Sequence, residues 1–267
     1  MADILKQTRC FLFDLDGTIF LGGRLLPGAV ELISFLRASG MPHYFLTNNS
    51  SRSRRDYVTK LENLGLTVPL ESIFSSGQAA AMYLQKQKPG ACIYLVGTPS
   101  LEEEFTGYGF DIGEKDPDFA VLGFDTTLTY EKLRKLCDFV REGRPYIATH
   151  PDINCPIENG FIPDTGAMIA LVEASTGRRP DVVIGKPNKP MIDIIMDKTG
   201  AAVSEITMVG DRLYTDIAMG RHGLRTVLVL TGETSREDIP VSAFQPDLVV
   251  AGVEELYRVL KEDNSGM

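Results

Sequence analysis

Asp14 and Asp16 close an apolar run, Phe11-Leu12-Phe13, and are followed at once by Gly17 and Thr18. Such a run reads as a buried strand, and two carboxylates are an abrupt ending for one. Alternation along a strand turns both side chains to one face, about 6–7 Å apart, where like charges repel unless a cation lies between them. A hard divalent ion with oxygen ligands meets that demand. Mg2+ suits it best, because it keeps several waters, takes one or two carboxylates and accepts a phosphate oxygen as a further ligand.

The same pattern recurs. Tyr44-Phe45-Leu46 runs into Thr47-Asn48-Asn49, Ile206-Thr207-Met208-Val209 into Gly210-Asp211, and Val182-Val183-Ile184-Gly185 into Lys186-Pro187. In an open parallel sheet, ligands sit in the crevice beyond the carboxyl ends of the strands, so polar residues placed directly after separate apolar runs converge on one site. Lys186 contributes a point charge suited to phosphate and to carboxylate alike. Thr47-Asn48 also reads as a helix cap, a role that shares its backbone geometry with phosphate binding. Gly185-Lys186 is no nucleotide P-loop, since the earlier glycine is missing and Pro187 stands where Ser or Thr belongs.

The elements that must carry these residues alternate between strand and helix, the mark of a parallel α/β architecture. Helical spacing through Val30, Ile33 and Leu36 ends at Gly40, and a second helix runs through Tyr57, Leu61 and Leu64 to Gly65. Near the end, 214–222 reads as a helix, 225–230 and 247–250 as strands, and 253–261 as a closing helix, with a frayed tail from Glu262 to Met267. Between Thr47 and Lys186 the chain is far longer than a βα crossover requires, so a second α/β domain is inserted there. Its strands are expected at 92–96, 119–123 and 146–148, and its helices at 100–105, 130–141 and 167–175. Turn residues at Ser76-Gly77 and from Gly177 to Pro180 set its edges, giving a core of 1–77 and 180–267 and an insert of 78–179.

The bulk properties narrow the classes. The 267 residues are 43% hydrophobic and 24% charged, with a net charge of −9, a balance that argues against nucleic acid and anionic membrane as partners. No apolar run reaches the roughly 20 residues that span a bilayer. Cys10, Cys92, Cys137 and Cys155 are scattered without zinc or disulfide spacing, and Met-Ala-Asp-Ile-Leu-Lys-Gln at the start lacks the pattern of a signal peptide. A cytoplasmic location is the expectation.

Taken in order, Asp14-Leu15-Asp16-Gly17-Thr18, Thr47-Asn48, Lys186 and Gly210-Asp211 through Asp216 resemble the four motifs of the haloacid dehalogenase (HAD) superfamily. The size and place of the insertion, together with Gly185-Lys186-Pro187 and Gly-Asp-Arg-Leu-x-Thr-Asp at 210–216, resemble its subclass IIA, the NagD-like and 4-nitrophenylphosphatase-like proteins. The resemblance implies a Rossmann-like core with an α/β cap between the second and third motifs, and an Mg2+-dependent phosphatase working through an aspartyl-phosphate. Asp14 would be the nucleophile and Asp16 the acid and base. Lys186, Thr47 and Asn48 would hold the phosphoryl oxygens. Asp14, the Asp16 carbonyl and Asp211 would hold the metal, with Asp216 reaching its water shell or orienting Lys186. Aspartate at position 16 favours a phosphatase or phosphomutase over the superfamily's transport ATPases and dehalogenases; a catalytically silent ligand-binding relative is the reading from another class. Substrates would be small soluble phosphomonoesters: sugar phosphates, nucleotides or phosphorylated cofactors. Caps of this subclass often carry dimer contacts, so the resemblance leaves room for a homodimer through the cap. Ala148-Thr149-His150-Pro151-Asp152 is similar to the subfamily's substrate loop, commonly Thr-Asn-Pro-Asp, which casts His150 and Asp152 as substrate contacts or, for His150, as a loop residue satisfied locally. Pro163-Asp164-Thr165-Gly166 is expected to cap a helix. Arg52, Arg54 and Arg55 face either substrate or solvent.

Overall fold

The computed structural model describes residues 5–157 and 160–265, so the ends of the sequence read at 1–4 and 266–267 lie outside the described residues. The chain divides into two compact units, one of residues 1–47, 58–73 and 195–267, the other of 48–57 and 74–194. This packing gathers residues 48–57, 74–77 and 180–194 with the inserted segment, whereas turn signals alone placed them with the core.

The first unit is built on a sheet with the order β15-β14-β13-β1-β4-β5, of whose last strand only Ile73 falls in this unit. Its strands are β1 (Cys10–Phe13), β4 (His43–Thr47), β5 (Ile73–Ser75), β13 (Ile206–Gly210), β14 (Arg225–Val229) and β15 (Leu248–Val250). A short antiparallel pair, β2 (Phe20–Leu21) and β3 (Arg24–Leu25), follows the first aspartates and left no clear pattern in the sequence. β1 lies centrally and runs parallel to β4 on one side and β13 on the other, with Phe13 opposite both Phe45 and Val209. All four β1 residues are buried, which is why they read as an uninterrupted apolar run. The chain winds outward from β1 in one direction and later in the other, so the reversal point falls between β1 and β13, where such sheets open a crevice.

Helix α1 (Ala29–Ala38) buries Ala29, Leu32, Ile33 and Leu36, a 3.6-residue stripe. Val30, expected on that face, is instead exposed. Helix α2 (Arg54–Asn63) follows β4. The expected helix over 214–222 is a turn and a 3-10 helix, Ile217–His222. Its amides skip the regular ladder, Ala218 N–H reaching back to the Leu213 carbonyl and Met219 N–H to that of Asp216. The closing helix α8 (Val253–Ser265) includes residues 262–265 of the stretch expected to fray, and 266–267 lie outside the described residues.

The second unit has its own sheet, all parallel, in the order β12-β9-β8-β6-β7. Its strands are β6 (Cys92–Val96), β7 (Asp111–Ile112), β8 (Phe119–Leu122), β9 (Tyr146–Ala148) and β12 (Val182–Val183). Helices α3 (Ser76–Gln87), α4 (Pro99–Gly107), α5 (Tyr130–Arg141) and α6 (Thr165–Thr176) accompany it, and residues 189–194 of α7 (Lys189–Thr199) also fall in this unit. Ser76-Gly77, read as a turn, opens α3, with the Ser75 hydroxyl accepting the Gln78 N–H. An antiparallel pair, β10 (Asn154–Ile157) and β11 (Gly160–Pro163), rises between β9 and α6. Tyr94, Val96, Leu122, Leu136, Tyr146 and Val172 belong to its buried core. No helix among the described residues is long and apolar enough to cross a membrane. The four cysteines are free, and burial pushes the Cys10 thiol up to about 12, which removes it from nucleophilic chemistry.

Candidate active site

Three carboxylates of the first unit meet. Asp14, Asp211 and Asp216 each offer an oxygen within 4.8 Å of the others. Asp14 leaves the end of β1 with its backbone N–H still bonded to the Val209 carbonyl of β13 at 2.8 Å, so the strand pairing itself sets its position. Asp211 follows the end of β13, and its Oδ2 accepts the Glu233 N–H at 2.7 Å. Asp216 is wholly buried, and its Oδ2 accepts the Arg212 N–H at 3.1 Å. That bond turns the side chain back onto its own loop, directly before the 3-10 helix.

Packing holds these groups against their mutual repulsion. A Cβ at Gly210 would collide with the Asp216 carboxylate, and one at Gly232 with that of Asp211; one at Gly17, where φ is +85°, would stand 2.6 Å from Asp211 Oδ2. The Thr231 hydroxyl donates to the Gly17 carbonyl at 2.6 Å and ties the two loops together. A cradle of close-set oxygens with no room for side-chain bulk is what a hard cation requires, and three carboxylate donors fit a divalent ion of the Mg2+ or Ca2+ kind rather than a soft metal.

Asp16 behaves differently from the expectation of two aspartates on one strand face. β1 stops at Phe13, so strand alternation does not extend to residue 16. Its side chain is 43% exposed and lies 3.8 Å from Lys60 Nζ, which in turn stands 3.7 Å from the centre of the Phe20 ring. The carboxylate that joins Asp14 and Asp211 is that of Asp216.

Thr47 ends β4 and is buried. The other expected groups belong to the second unit. Asn48 and Lys186 are both buried, and the Asn48 side chain bridges the backbone of Lys186, accepting its N–H at 2.8 Å and donating to its carbonyl at 3.0 Å. The peptide between Lys186 and Pro187 is cis. Of the two readings open for His150, the structure shows it buried with both ring nitrogens engaged by protein atoms, and Asp152, expected as a substrate contact, is buried as well. Asp164 caps α6, accepting the Thr165 N–H as expected. Arg54 is committed to Glu104 at 2.9 Å, while Arg52 and Arg55 are exposed.

Sequence reasoning missed Lys60, Ser76 and the Thr231-Gly232-Glu233 loop. The loop carried a readable signal, since it follows the apolar run 225–230 directly, the same strand-then-polar pattern that marked Asp14 and Asp211. Lys60 carried none, being one lysine on a helix.

Comparison with known proteins decides the family. A family model described as haloacid dehalogenase-like hydrolase matches residues 11–111, and a HAD-hydrolase-like model matches 183–256. An acid sugar phosphatase of Staphylococcus aureus is 37% identical over 237 residues, 88% of this chain and 91% of that one. The chain belongs to the haloacid dehalogenase-like hydrolases. A 5'-nucleotidase of Bacillus subtilis, YutF, is 34% identical over 94% of this chain and 98% of its own. Among solved structures, the 4-nitrophenylphosphatase of Thermotoga maritima superposes with a TM-score of 0.93 at 46% identity, covering 96% of this chain and 98% of that one. The glycerol phosphate phosphatase of Mycobacterium tuberculosis, solved in complex with calcium, gives 0.86 at 33% identity over 95% and 76%.

Proposed function

We propose that this HAD-like hydrolase is an Mg2+-dependent phosphatase of small phosphomonoesters that works through an aspartyl-phosphate. The observation that carries the reading is the convergence of Asp14, Asp211 and Asp216 beside the reversal point of the sheet. Asp14 and Asp211, with the Asp16 backbone carbonyl, would hold the ion, and Asp216 would act on its surroundings. When bound, the ion neutralises charge on the carboxylates and on the phosphoryl oxygens.

The chemistry of the chain's own residues follows. A carboxylate oxygen of Asp14 attacks phosphorus in line, forming an acyl-phosphate bond as the bond to the leaving oxygen breaks. Asp16 gives that oxygen a proton. It then takes a proton from the water that attacks the same phosphorus, and the bond to Asp14 breaks to release inorganic phosphate. Lys186, the Thr47 hydroxyl and the Asn48 peptide N–H stabilise the non-reacting oxygens. The Asn48 side-chain amide takes no part in that contact, because Lys186 and Asp152 already occupy its hydrogen-bonding capacity.

Relatives bearing the names sugar phosphatase, 5'-nucleotidase and glycerol phosphate phosphatase differ in leaving group and share the phosphoryl end. That supports small soluble phosphate esters as the substrate class. The four free thiols support a reducing compartment, the cytoplasm. The test is phosphate release over a panel of phosphorylated metabolites with Mg2+, beside Asp14→Asn. The wild type is expected to release phosphate steadily without a bisphosphate activator, which sets it apart from a phosphomutase. The variant should lose turnover by about a thousandfold or more while its thermal unfolding shows a folded protein. Substantial activity in Asp14→Asn would overturn the assignment of the nucleophile.

A further inference from the structure

Within the second unit, Asn48 is pinned from every side. Its Nδ2 donates to Asp152 Oδ1 at 2.8 Å as well as to the Lys186 carbonyl, while its Oδ1 accepts the Lys186 N–H. Its backbone carbonyl accepts from the Ser76 hydroxyl, and Ser76 Oγ lies 3.3 Å from His150 Nδ1. His150 is entirely buried, with Nε2 2.8 Å from Asp164 Oδ1 and Nδ1 2.9 Å from Thr149 Oγ1. The carboxylate partner assigns the proton to Nε2. Gly185, one residue before Lys186, donates its N–H to the Thr149 carbonyl at 2.7 Å, and a Cβ there would come within 2.6 Å of both Asn48 Oδ1 and His150 Cβ. Three separate stretches of chain are thus locked at backbone level around one amide.

His150, Asp152 and Asp164 also place ligating atoms within 4.8 Å of one another. Hydrogen bonds account for that closeness without a metal. Asp164 Oδ1 receives His150 and the Thr165 N–H, and Asp152 Oδ1 receives Asn48.

We infer that Asp152 and His150 are positioning residues, which set the Lys186 backbone and the Asn48 peptide through the Asn48 amide and Ser76, and are not contacts for the leaving group. The inference rests on the phosphatase reading, in which Lys186 and the Asn48 peptide bear on the phosphoryl oxygens. Removing the Asp152 acceptor leaves a buried N–H unsatisfied, and the amide relaxes with the Lys186 segment attached to it. A displacement of about 1 Å in a group that meets the reacting atoms lowers rate by about a hundredfold.

Leaving-group contact and positioning separate when the probe has no leaving group. The Mg2+-loaded enzyme is assayed with several phosphomonoesters, and inhibition by inorganic phosphate is measured alongside. Asp152→Ala should weaken phosphate inhibition about ten- to a hundredfold and lower kcat/KM by a similar factor for every ester. Asp152→Asn, whose amide oxygen still accepts from Asn48, should recover most of both, and His150→Asn should fall between, with thermal unfolding recorded for each. Unchanged phosphate inhibition with losses that vary from ester to ester would overturn the inference, because that pattern marks a leaving-group contact. An Asp152→Asn variant as impaired as Asp152→Ala would overturn it too. Lys186→Met in the same assay keeps the two levels apart. If it leaves turnover and phosphate inhibition intact, the phosphatase reading of Lys186 has failed; if it impairs both while Asp152→Ala impairs neither, only the positioning role has failed.

Discussion

In each unit a parallel sheet winds outward from its first strand, β1 or β6, and then reverses, and in each the glycines beside that point leave space for something larger. In the first unit Gly210 and Gly232 make room for the carboxylates of Asp216 and Asp211. In the second, Gly77, Gly97 and Gly123 make room for Leu101, whose Cδ atoms would collide with a Cβ at any of the three. The acids differ in the same sense. Asp125, Asp152 and Asp164 of the second unit are set against Lys132 at 2.8 Å, Asn48 at 2.8 Å and His150 at 2.8 Å. Asp14, Asp211 and Asp216 of the first form a cluster of carboxylates alone, whereas the cluster in the second includes the His150 ring. A shared topology therefore supplies a crevice in both units, and side chains decide whether it gathers carboxylates, as the proposed ion site requires, or is plugged by leucine.

The sharpest way to break this comparison is Gly232→Ala. A methyl group driven into the Asp211 carboxylate should abolish the stabilisation that added Mg2+ gives in thermal unfolding and reduce turnover by about a hundredfold or more. A variant that still responds to Mg2+ as the wild type does would show that the cradle is not the ion site. Leu101→Ala empties the matching space in the second unit. It should cost about 2–5 kcal/mol of stability in denaturant unfolding, yet leave the Mg2+ response intact. The smallest effect concerns the histidines. The second unit's buried His150 faces a carboxylate, whereas His43 of the first has the Met41 carbonyl at 2.9 Å, and burial lowers its pKa from the usual 6.5. The unfolded chain then binds the proton more readily than the folded one, so stability declines as pH falls below about 6.5 and is unaffected by this residue well above it. His43→Gln should flatten that slope slightly in unfolding midpoints measured from pH 8 to pH 5.

Much of the first unit was legible because its strands are buried on both faces and end in polar residues; Phe11-Leu12-Phe13 into Asp14 and Met208-Val209 into Gly210-Asp211 announce both structure and chemistry. Three of the second unit's strands were equally clear, at 92–96, 119–123 and 146–148, the middle one ending one residue earlier at Leu122. What escaped were elements fixed by partners distant in the chain. β5 is three residues long, and α3 opens with Ser-Gly, which mimics a turn. Asp16 was placed by a strand periodicity that ends at Phe13, and Asp216 by a resemblance that put it at the water shell or on Lys186 without foreseeing its bond to the Arg212 N–H. The two readings of His150, substrate contact or satisfied loop residue, stayed open in sequence because a histidine in a loop carries no mark of its burial; its partners Asp164 and Ser76 lie 14 and 74 residues away.

The bond between Asn48 and Lys186 joins positions 138 residues apart within the compact unit that gathers 48–57 with 74–194. Anyone exchanging specificity between relatives by grafting would therefore inherit an interlocked module rather than a simple insert. A chimera cut only near 78 and 179 would pair one parent's amide with another parent's lysine segment. Transplanting both stretches together, with joints at 47/48, 57/58, 73/74 and 194/195, keeps the donor's own clasp intact.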